Sequence, residues 1–599
     1  MAFDPTSSNR EYRFYLKIEL TGLTLYVSND GFVLSDGTVI DGLITGISPL
    51  SRSAGDILDP RLTLPRLQIQ LDNRPNPNGT RIQDYFDLYT WGNRAVTLYI
   101  GQGSTATDFD EVFTGTVLHP AGTSFDDTAA TVSIVDARAT DAKVLPAAVY
   151  TTAIYANMEA SQVNAPIPIV FGDWQTTAAN GETVPCVQID STAGTGGKFK
   201  IAGHTLKSIE AVYLNGSDIT GNCTLDPANG EFTISSTSTY TSGTDIVTAN
   251  VQGATDDGTT SGTLLQTAPD VLEDILKTHL SVSAGNIDSS AFTAWGAQLS
   301  SNDYVRRVIN IEAESDILIA DLLSDGFADL TIEAGKYTPK YRVASIGASL
   351  VSYREADLLN DADRVKRFLV EHDPQQIYTN EVVANYNYAP TGAAYAGRYS
   401  TNDTGAIADI GSTVRRSLGL SWLYLQTGAE ARADKELYTF SQTPEVIELD
   451  LGPAASTLAP ADQFRLVYSK YPETPVGGTP FQVRDISLNP IDLSVRLTAW
   501  SMVQLTPQVW TAGGANDWEN ATAAEKEEQG FWTSDDGEAG PQYYWADTSA
   551  PAYTAASAYE QANQAYWTDG AGEADPGDSG SAGSVWKDET AVDPDSKWI

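Results

Sequence analysis

Apolar and polar residues alternate along most of the first 145 residues. Between Phe14 and Leu20 every second residue is apolar, and this period of two predicts a strand with one buried face. Asn-Asp-Gly at 29–31 and Ser-Asp-Gly at 35–37 predict hairpin turns. These patterns predict a closed or nearly closed β-barrel. Its predicted elements are strands at 12–20, 23–27, 67–71, 96–100, 111–118 and 130–135 and a short helix at 84–91.

A stretch with two prolines, residues 165–174, divides the chain. Its sequence is Ala-Pro-Ile-Pro-Ile-Val-Phe-Gly-Asp-Trp, and each proline holds the residue before it in extended geometry. Residues 169–171 are therefore a candidate for a buried strand, and 172–173 for a turn. On residue types alone this is a strand that closes a domain, after a partly helical connector at 147–165.

The segment 175–262 is rich in Thr, Ser and Gly and carries little helical periodicity. Hairpin turns are predicted at 215–216 and 229–230, so we expect a small inserted all-β domain. The run Gly-Thr-Gly-Gly-Lys at 194–198 shares residue types with a phosphate-binding loop. It lacks the Gly-x4-Gly-Lys-Ser/Thr spacing and a following apolar helix, which favours a plain hairpin loop.

After residue 263 the hydrophobic period becomes helical. Thr267 and Asp270 form a Thr-x-x-acid helix start, and the apolar residues of 271–280 fall on one face. A second helix, with a glycine after its end, is predicted at 315–325. A hairpin around Ala-Gly-Lys at 334–336 completes a predicted α+β module. The residues expected on the buried face of the second helix are Ile317, Leu318, Leu322 and Leu323.

Residues from about 343 to 505 return to the strand period. Asn-Pro at 489–490 separates the last two strand candidates and predicts a hairpin. The segment is expected to form a second β-barrel like the first, although no residue-level repeat links the two. The predicted elements are strands at 382–388, 445–451, 463–469, 481–488 and 493–500 and a helix at 428–437.

The tail after residue 508 changes composition to Ala, Gly, Ser, Asp and Glu, with few aliphatic side chains larger than Ala. It therefore cannot build its own core. A short motif, an aromatic residue followed by Trp and, two or three residues later, Asp, occurs in similar form at 531–535, 544–547 and 566–569. The tail is either a disordered acidic segment or a series of aromatic anchors that dock on a partner. The candidate partner-contact residues are Trp510, Trp518, Trp532, Trp545, Trp567, Trp586 and Trp598.

Length then sets the domain count. At 599 residues the chain needs about three to five domains. The predicted fold is mainly β with a smaller α+β module and an extended C-terminal tail. The predicted domains are a first β-barrel at 1–146, the connector and Pro-rich strand at 147–174, an inserted β domain at 175–262, the α+β module at 263–342, a second β-barrel at 343–508 and the acidic Trp-rich tail at 509–599.

Charge excludes some partners. The chain carries 78 acidic and 36 basic residues, a net charge of −42. Phosphate binding needs clustered Lys and Arg, so specific binding to nucleic acid or to anionic membranes is not expected. No run of about eighteen apolar residues occurs, so no membrane span is expected either.

The candidate chemistry is sparse. Two cysteines, Cys186 and Cys223, give neither a disulfide framework nor a metal ligand set, and no catalytic motif is present. We therefore expect no catalytic, metal or cofactor site, and a scaffold or binding protein rather than an enzyme. A glycosidase stays open, because its two carboxylates need no local motif. The four histidines lie in four different predicted elements: His119, His204, His279 and His372.

Three local sequences resemble baseplate hub, or tail-tip hub, proteins of long-tailed (siphovirus-like) bacteriophages. They are Ile-Pro-Ile-Val-Phe-Gly at 167–172, the helix-and-hairpin unit at 313–336 and the hairpin at 481–497. The resemblance covers roughly residues 10–505 and includes the order of the modules, with two barrel-like hub domains. The Trp-rich tail has no counterpart in it.

The resemblance implies a structural virion protein at the tail tip, made in the host cytoplasm and active in host attachment and genome ejection. It implies a homotrimer that adapts the sixfold tail tube to a threefold tip. The implied partners are the distal tail protein, the tape-measure protein and the tail fibre, with DNA passing nearby without specific binding. A receptor- or carbohydrate-binding tail protein and a virion-associated cell-wall hydrolase are the alternatives.

Overall fold

The fold is mainly β, with many more strands than helices among the described residues, as the alternating pattern predicted. The chain divides by its contacts into two units, Met1–Leu505 and Thr506–Ile599. The computed structural model describes residues 12–501 apart from 56–59, 76–78, 176–182, 195, 236–239, 334, 343–349, 355–356, 359–367, 373–376, 391–393, 442–444 and 468–478, together with residues 531–532, 538–539, 566–567 and 585–586.

The first segment builds a ten-stranded sheet in the order β3-β4-β2-β1-β8-β9-β11-β7-β5, with β10 on β11. The predicted helix is found as α1, and the six predicted strands are β1, β2, β7, β8, β9 and β11. The elements are β1 (Arg13–Leu20), β2 (Leu23–Ser28), β3 (Phe32–Val33), β4 (Val39–Gly42), β5 (Ile44–Ile47), β6 (Leu50–Ser53), β7 (Arg66–Asp72), α1 (Ile82–Leu88), β8 (Ala95–Gly101), β9 (Phe109–Val117), β10 (Thr123–Phe125) and β11 (Ala129–Asp136).

One bent segment closes this sheet into a barrel. Asp41 in β4 pairs with β2, and Ile44 in β5 pairs with Leu71 of β7. Only Leu43 separates β4 from β5, so the same segment is bonded to both ends of the sheet. The side chains of β1 that the pattern predicted to be buried are all inside: Phe14, Leu16, Ile18 and Leu20.

The middle of the chain contributes short connecting strands, a β-sandwich and a helical module. Helix α2 continues as a π-helical turn, Ile275–His279. In the connector 147–165, the 3-10 turn Ala160–Gln162 supplies the helical residues. The elements are β12 (Val144–Leu145), β13 (Ile169–Phe171), β14 (Val184–Pro185), β15 (Val187–Asp190), β16 (Gly197–Lys200), β17 (Ser208–Leu214), β18 (Ser217–Asp218), β19 (Cys223–Asp226), β20 (Glu231–Ile234), β21 (Val247–Gln252), α2 (Ala268–Asp274), α3 (Ser289–Gly296), β22 (Arg307–Ile309), β23 (Ala313–Glu314), α4 (Ser315–Asp325), β24 (Ala328–Glu333) and β25 (Lys336–Tyr341).

The inserted segment is a sandwich of two four-stranded sheets, β14-β21-β17-β18 and β15-β16-β20-β19. Both sheets contribute to one core, in which the rings of Phe199 and Phe232 stack with centroids 5.3 Å apart. The Gly-Thr-Gly-Gly-Lys run joins the antiparallel strands β15 and β16. Lys198 at its end pairs with Glu231, so the hairpin-loop interpretation is confirmed.

The buried face of helix α4 differs from the predicted one at a single predicted residue. Leu318, Leu322 and Leu323 are buried as predicted, but Ile317 is 38% exposed and Ile319 is buried instead. Residues two apart on a helix point in nearly opposite directions. The face that meets the core includes Ile319, so the prediction for Ile317 was wrong.

The C-terminal part of the first unit holds a second large sheet and a three-stranded sheet, β29-β28-β30. The large sheet has the order β26-β32-β33-β34-β31-β27, and a bridge between Leu358 and Leu451 brings the chain after β26 to β31. Strands β33 and β34 form the hairpin predicted around Asn-Pro. The elements are β26 (Ser352–Arg354), β27 (Phe368–His372), β28 (Glu381–Ala389), β29 (Ala394–Asn402), α5 (Thr404–Ile410), β30 (Arg415–Gly419), α6 (Gln426–Phe440), β31 (Glu445–Leu451), β32 (Gln463–Val467), β33 (Thr479–Leu488) and β34 (Val495–Ser501).

The second unit is described only at four two-residue strands. The strands β35 and β36 are antiparallel, and β37 and β38 are parallel. Across the residues described in both units, no helix has the length and apolar character needed to cross a membrane. The four strands are β35 (Phe531–Trp532), β36 (Glu538–Ala539), β37 (Tyr566–Trp567) and β38 (Val585–Trp586).

Candidate functional site: the junctions between the modules

Strand β6 joins the first barrel to the second large sheet. It follows β5 after two residues, yet it pairs with β33, where Leu50 lies opposite Leu488 and Ser53 opposite Asp485. The interiors of the two sheets form one continuous buried cluster. Separating them would break a strand pairing and expose apolar side chains, which is unfavourable. The two sheets are therefore held together within each chain by this pairing and by their shared core.

A buried charge cluster reinforces this junction. The Asp329 carboxylate accepts bonds from Arg342 Nη2 and Arg484 Nη1, each 2.9 Å long, and Arg484 also donates to the Gly55 carbonyl at 2.7 Å. Burial alone would raise the pKa of Asp329, but the two guanidinium groups hold it below its usual range. The cluster ties the β24–β25 hairpin to β33 and to the segment after β6.

Lys340 adds a second tie between the same hairpin and the second large sheet. Its Nζ bonds to Asp462 Oδ1 at 2.6 Å and to the Pro460 carbonyl at 3.2 Å, and it also pairs with Glu333. A cavity between β6, β9 and the β24–β25 turn has about 20 Å³, room for one water molecule. Small-molecule pockets are larger, from about 300 Å³. This cavity is therefore too small for a ligand of that size.

The Pro-rich strand β13 lies between two cores. It pairs with β22, so that Ile169 is opposite Ile309 and Val170 opposite Val308. The isoleucines belong to the core around helices α2, α3 and α4, called the helical core below. The valines belong to the core of the sandwich. Because side chains alternate along a strand, this two-stranded ribbon completes both cores at once. The predicted buried strand is therefore confirmed, and it also connects two modules.

Arg306, just before β22, connects three parts of the chain. Its guanidinium lies 4.4 Å from the ring centre of Trp174 and 4.3 Å from that of Tyr424. Its Nη2 donates to Asn387 Oδ1 at 2.7 Å and its Nη1 to the Asp173 carbonyl at 3.3 Å. Stacking on two rings requires a planar guanidinium, which a lysine cannot provide.

Asp325, at the end of α4, is a buried carboxyl group at another junction. Its Oδ2 accepts the backbone N–H groups of Trp422, at 2.7 Å, and Leu423, at 3.3 Å. Burial raises the pKa of Asp325 to about 7, an effect larger than the lowering by these hydrogen bonds. The carboxyl group ties the helical module to the segment before α6.

Replacing Asp325 with Asn is expected to remove a pH dependence of stability. Its folded pKa of about 7 exceeds the unfolded value of about 3.9. Its contribution is therefore fully present below the unfolded value and is lost as the pH rises through about 7. In this window the free energy of unfolding of the natural chain should fall, relative to that of the Asn variant, by up to about 1.4 kcal/mol per pH unit. Thermal unfolding of both proteins across this range measures the difference.

The matched control for this prediction is Asp127→Asn. The Asp127 side chain is fully exposed, so its removal should leave the pH profile of the unfolding temperature unchanged. A pH-independent difference between the natural chain and the Asp325→Asn variant would contradict the assignment.

The predicted partner-contact tryptophans all lie in the second unit. Trp532 is in β35, and Trp567 in β37 pairs with Trp586 in β38. Their role as partner contacts stays a prediction. Four candidates lie outside the described residues: Trp510, Trp518, Trp545 and Trp598.

The cysteines are part of the sandwich core. Both are free thiols at its periphery. Burial raises the pKa of Cys223 to about 11 and that of Cys186 further, which disfavours the reactive thiolate. Within the described ranges, no group of three or more His, Cys, Asp or Glu residues could hold a metal ion.

The junction residues were not predicted from the sequence. The available signal was a charged residue at a core-facing position of an apolar strand, as at Asp329 and Arg484, because a buried charge requires a partner there. The sequence does not say which partner it meets. These two residues are 155 positions apart along the chain.

Comparison with known proteins finds similarity in structure only. No family model and no curated protein sequence matches the chain. A solved structure of the 43 kDa tail protein of prophage MuSo2 from Shewanella oneidensis is similar over 82% of this chain and 98% of that chain, with 10% identity and a TM-score of 0.39. A tail protein from Neisseria meningitidis MC58 is similar over 82% and 96%, with 7% identity and a TM-score of 0.34.

A chain in the virion of a native gene transfer agent particle is similar over 55% of this chain and 86% of that chain, with 12% identity and a TM-score of 0.33. All three of these solved structures are described as tail or virion proteins.

Proposed function

We propose that the chain is a structural virion protein, the hub of a phage tail tip. Three copies form a ring that adapts the sixfold tail tube to a threefold tip. The ring contacts the distal tail protein, the tape-measure protein and the tail fibre. The protein carries out no catalysis, and its place is the virion after synthesis in the host cytoplasm.

The rigid connection of two large β-sheets in one chain carries this proposal. Strand β6 and the Asp329 cluster join the two sheets, so each chain supplies two large β-sheet blocks that are held together. Three such chains supply six blocks around a threefold axis, and repeated heterologous contacts close a ring. The net charge of −42 gives DNA no attractive surface, so DNA passes without sticking.

The tail is the proposed attachment to a neighbouring tail component. Its tryptophans offer large apolar contact areas on a segment that lacks a core of its own. Three of them, Trp532, Trp567 and Trp586, lie in strands, an extended geometry that suits docking along a partner surface. Acidic residues around them keep the free segment soluble.

One experiment tests the ring and the tail separately. The full chain and a variant without residues 511–599 are expected to form particles of three chain masses in solution, with threefold symmetry in electron micrographs. Only the full chain should bind the neighbouring fibre protein. A full-length variant with all seven tail tryptophans changed to Ser retains the length and charge of the tail, and it should also fail to bind.

The outcomes separate the two parts of the proposal. Monomeric or twofold particles of the full chain would contradict the hub function. Undiminished fibre binding by the truncated chain would contradict the proposed role of the tail. It would not contradict the proposed ring.

A further inference from the structure

A loop of the inserted sandwich is bonded to the Pro-rich strand through a histidine. Gly203 N–H donates to the Pro168 carbonyl at 2.8 Å, and Val170 N–H donates to His204 Nε2 at 2.9 Å. His204 Nδ1 lies 2.9 Å from the Thr205 carbonyl. We refer to these contacts, made by residues 203–205 with Pro168 and Val170, as the His204 clasp.

The partners of His204 define its protonation state. A carbonyl oxygen only accepts hydrogen bonds, so Nδ1 must carry the proton that bonds to Thr205. A backbone N–H only donates, so Nε2 must present a lone pair to Val170. The imidazole is therefore neutral in the clasp. A proton added to Nε2 would place two donors face to face and remove the acceptor of the Val170 N–H.

The clasp lies at the boundary between two cores. Val170 belongs to the sandwich core, and its neighbours in β13 belong to the helical core. Its carbonyl accepts Ala254 N–H at 2.9 Å, at the return of the chain from the sandwich. Loss of the His204 bond therefore acts on the strand through which the sandwich is connected to the rest of the first unit.

Some charged groups around His204 favour its protonation and others disfavour it. From the helical module, His279 faces it and disfavours a second positive charge, and Asp274, 3.6 Å from His279, favours one. From the sandwich, Lys200 disfavours protonation, while its own charge is paired with Glu231 at 3.0 Å. Burial is the largest effect and lowers the pKa of His204 below its usual range.

We propose that the His204 clasp is an acid-sensitive joint that loosens the inserted sandwich from the Pro-rich strand when Nε2 is protonated. In the unfolded chain histidine titrates near about 6.5. Because the folded pKa is lower, the stabilising contribution of the neutral ring is present above that value and is lost as the pH falls through the folded pKa. The joint is closed at neutral pH and opens in acid.

Amide hydrogen exchange of the full chain, measured by mass spectrometry on peptides that contain residues 168–172, tests the proposal. Exchange is followed from about pH 7 to about pH 5 and corrected for the intrinsic rate of each pH. Protection of these peptides should fall in acid by about tenfold more in the natural chain than in His204→Gln, since one hydrogen bond contributes about 1.4 kcal/mol. The Gln side chain offers an acceptor that does not titrate.

His279→Gln is the matched control, because it removes the neighbouring imidazole and keeps both residues that form the His204 hydrogen bonds of the clasp. The acid-induced loss should persist in this variant. Equal profiles in the natural chain and in His204→Gln, or a loss abolished by His279→Gln, would overturn the proposal.

A measurement on the natural chain covers the case in which His204→Gln does not fold. Exchange of the imidazole C2 hydrogen, measured by mass spectrometry, gives the titration midpoint of His204. This midpoint should coincide with the midpoint of the protection loss in residues 168–172. Two separate midpoints would overturn the proposal.

Discussion

Replacing Asp329 with Asn is expected to destabilise the first unit by about 3–5 kcal/mol. The carboxylate is fully buried and is bonded to both Arg342 and Arg484. Without its charge, two guanidinium groups remain buried without the anion that compensates their desolvation. The loss is concentrated where the β24–β25 hairpin meets β33, so the junction of the two large sheets should open first. Chemical denaturation followed by circular dichroism measures the change in the free energy of unfolding.

Asp450→Asn is the matched control for this prediction. It removes a carboxylate charge from an Arg–Asp pair of the second large sheet. In this pair Arg496 and Asp450 lie 2.9 Å apart, and their side chains are 55% and 25% exposed. Water already solvates this pair, so its loss should cost less than about 1 kcal/mol. An Asp329→Asn variant as stable as the control would show that the buried cluster does not hold the junction.

Replacing Gly172 with Ala is expected to lower the free energy of unfolding of the first unit by about 3 kcal/mol or more. Gly172 has φ +78°, a backbone region in which a Cβ atom costs roughly 1–2 kcal/mol. A Cβ there would also overlap the Val305 carbonyl and the Arg306 side chain, and overpacking adds about 1–3 kcal/mol. The overlap lies beside the ribbon that completes two cores, so neither side can yield freely. The midpoint of thermal unfolding is the measurement.

Gly216→Ala separates the two causes. Gly216 has φ +82° and no atom within 4 Å of its missing Cβ. This variant should therefore show only the backbone cost, about 1–2 kcal/mol. Equal destabilisation by the two substitutions would mean that close packing at Gly172 contributes nothing.

Local patterns predicted the individual elements well. The alternation in β1 named four of its five buried side chains, and the two prolines before β13 marked an extended strand that proved to be buried. Two failures have a common cause. Ile317 was placed on the wrong side of α4, and the pairing of β6 with β33 was not foreseen, because each depends on a neighbour that the local sequence does not specify.

The candidate functional residues also divide into those that the sequence pointed to and those that only the structure revealed. The tryptophans of the tail were evident as an unusual repeated phrase, and their role stays a prediction. Asp329, Arg484 and Arg306 were passed over, because a single charged or polar residue in a strand does not reveal whether it faces water or a partner. Their partners come from distant parts of the chain.

The sequence by itself determined many of the strands, helices and turns, because these follow from the spacing of apolar side chains and from the local restrictions of proline and glycine. It also determined the acidic, aromatic character of the tail. Only the tertiary structure decided that β6 completes a second sheet, that β13 serves two cores and which charges meet in the interior. Ser51 and Ser487, which face each other across β6 and β33, are 436 positions apart, and contacts of this kind depend on how whole sheets pack and not on any local pattern.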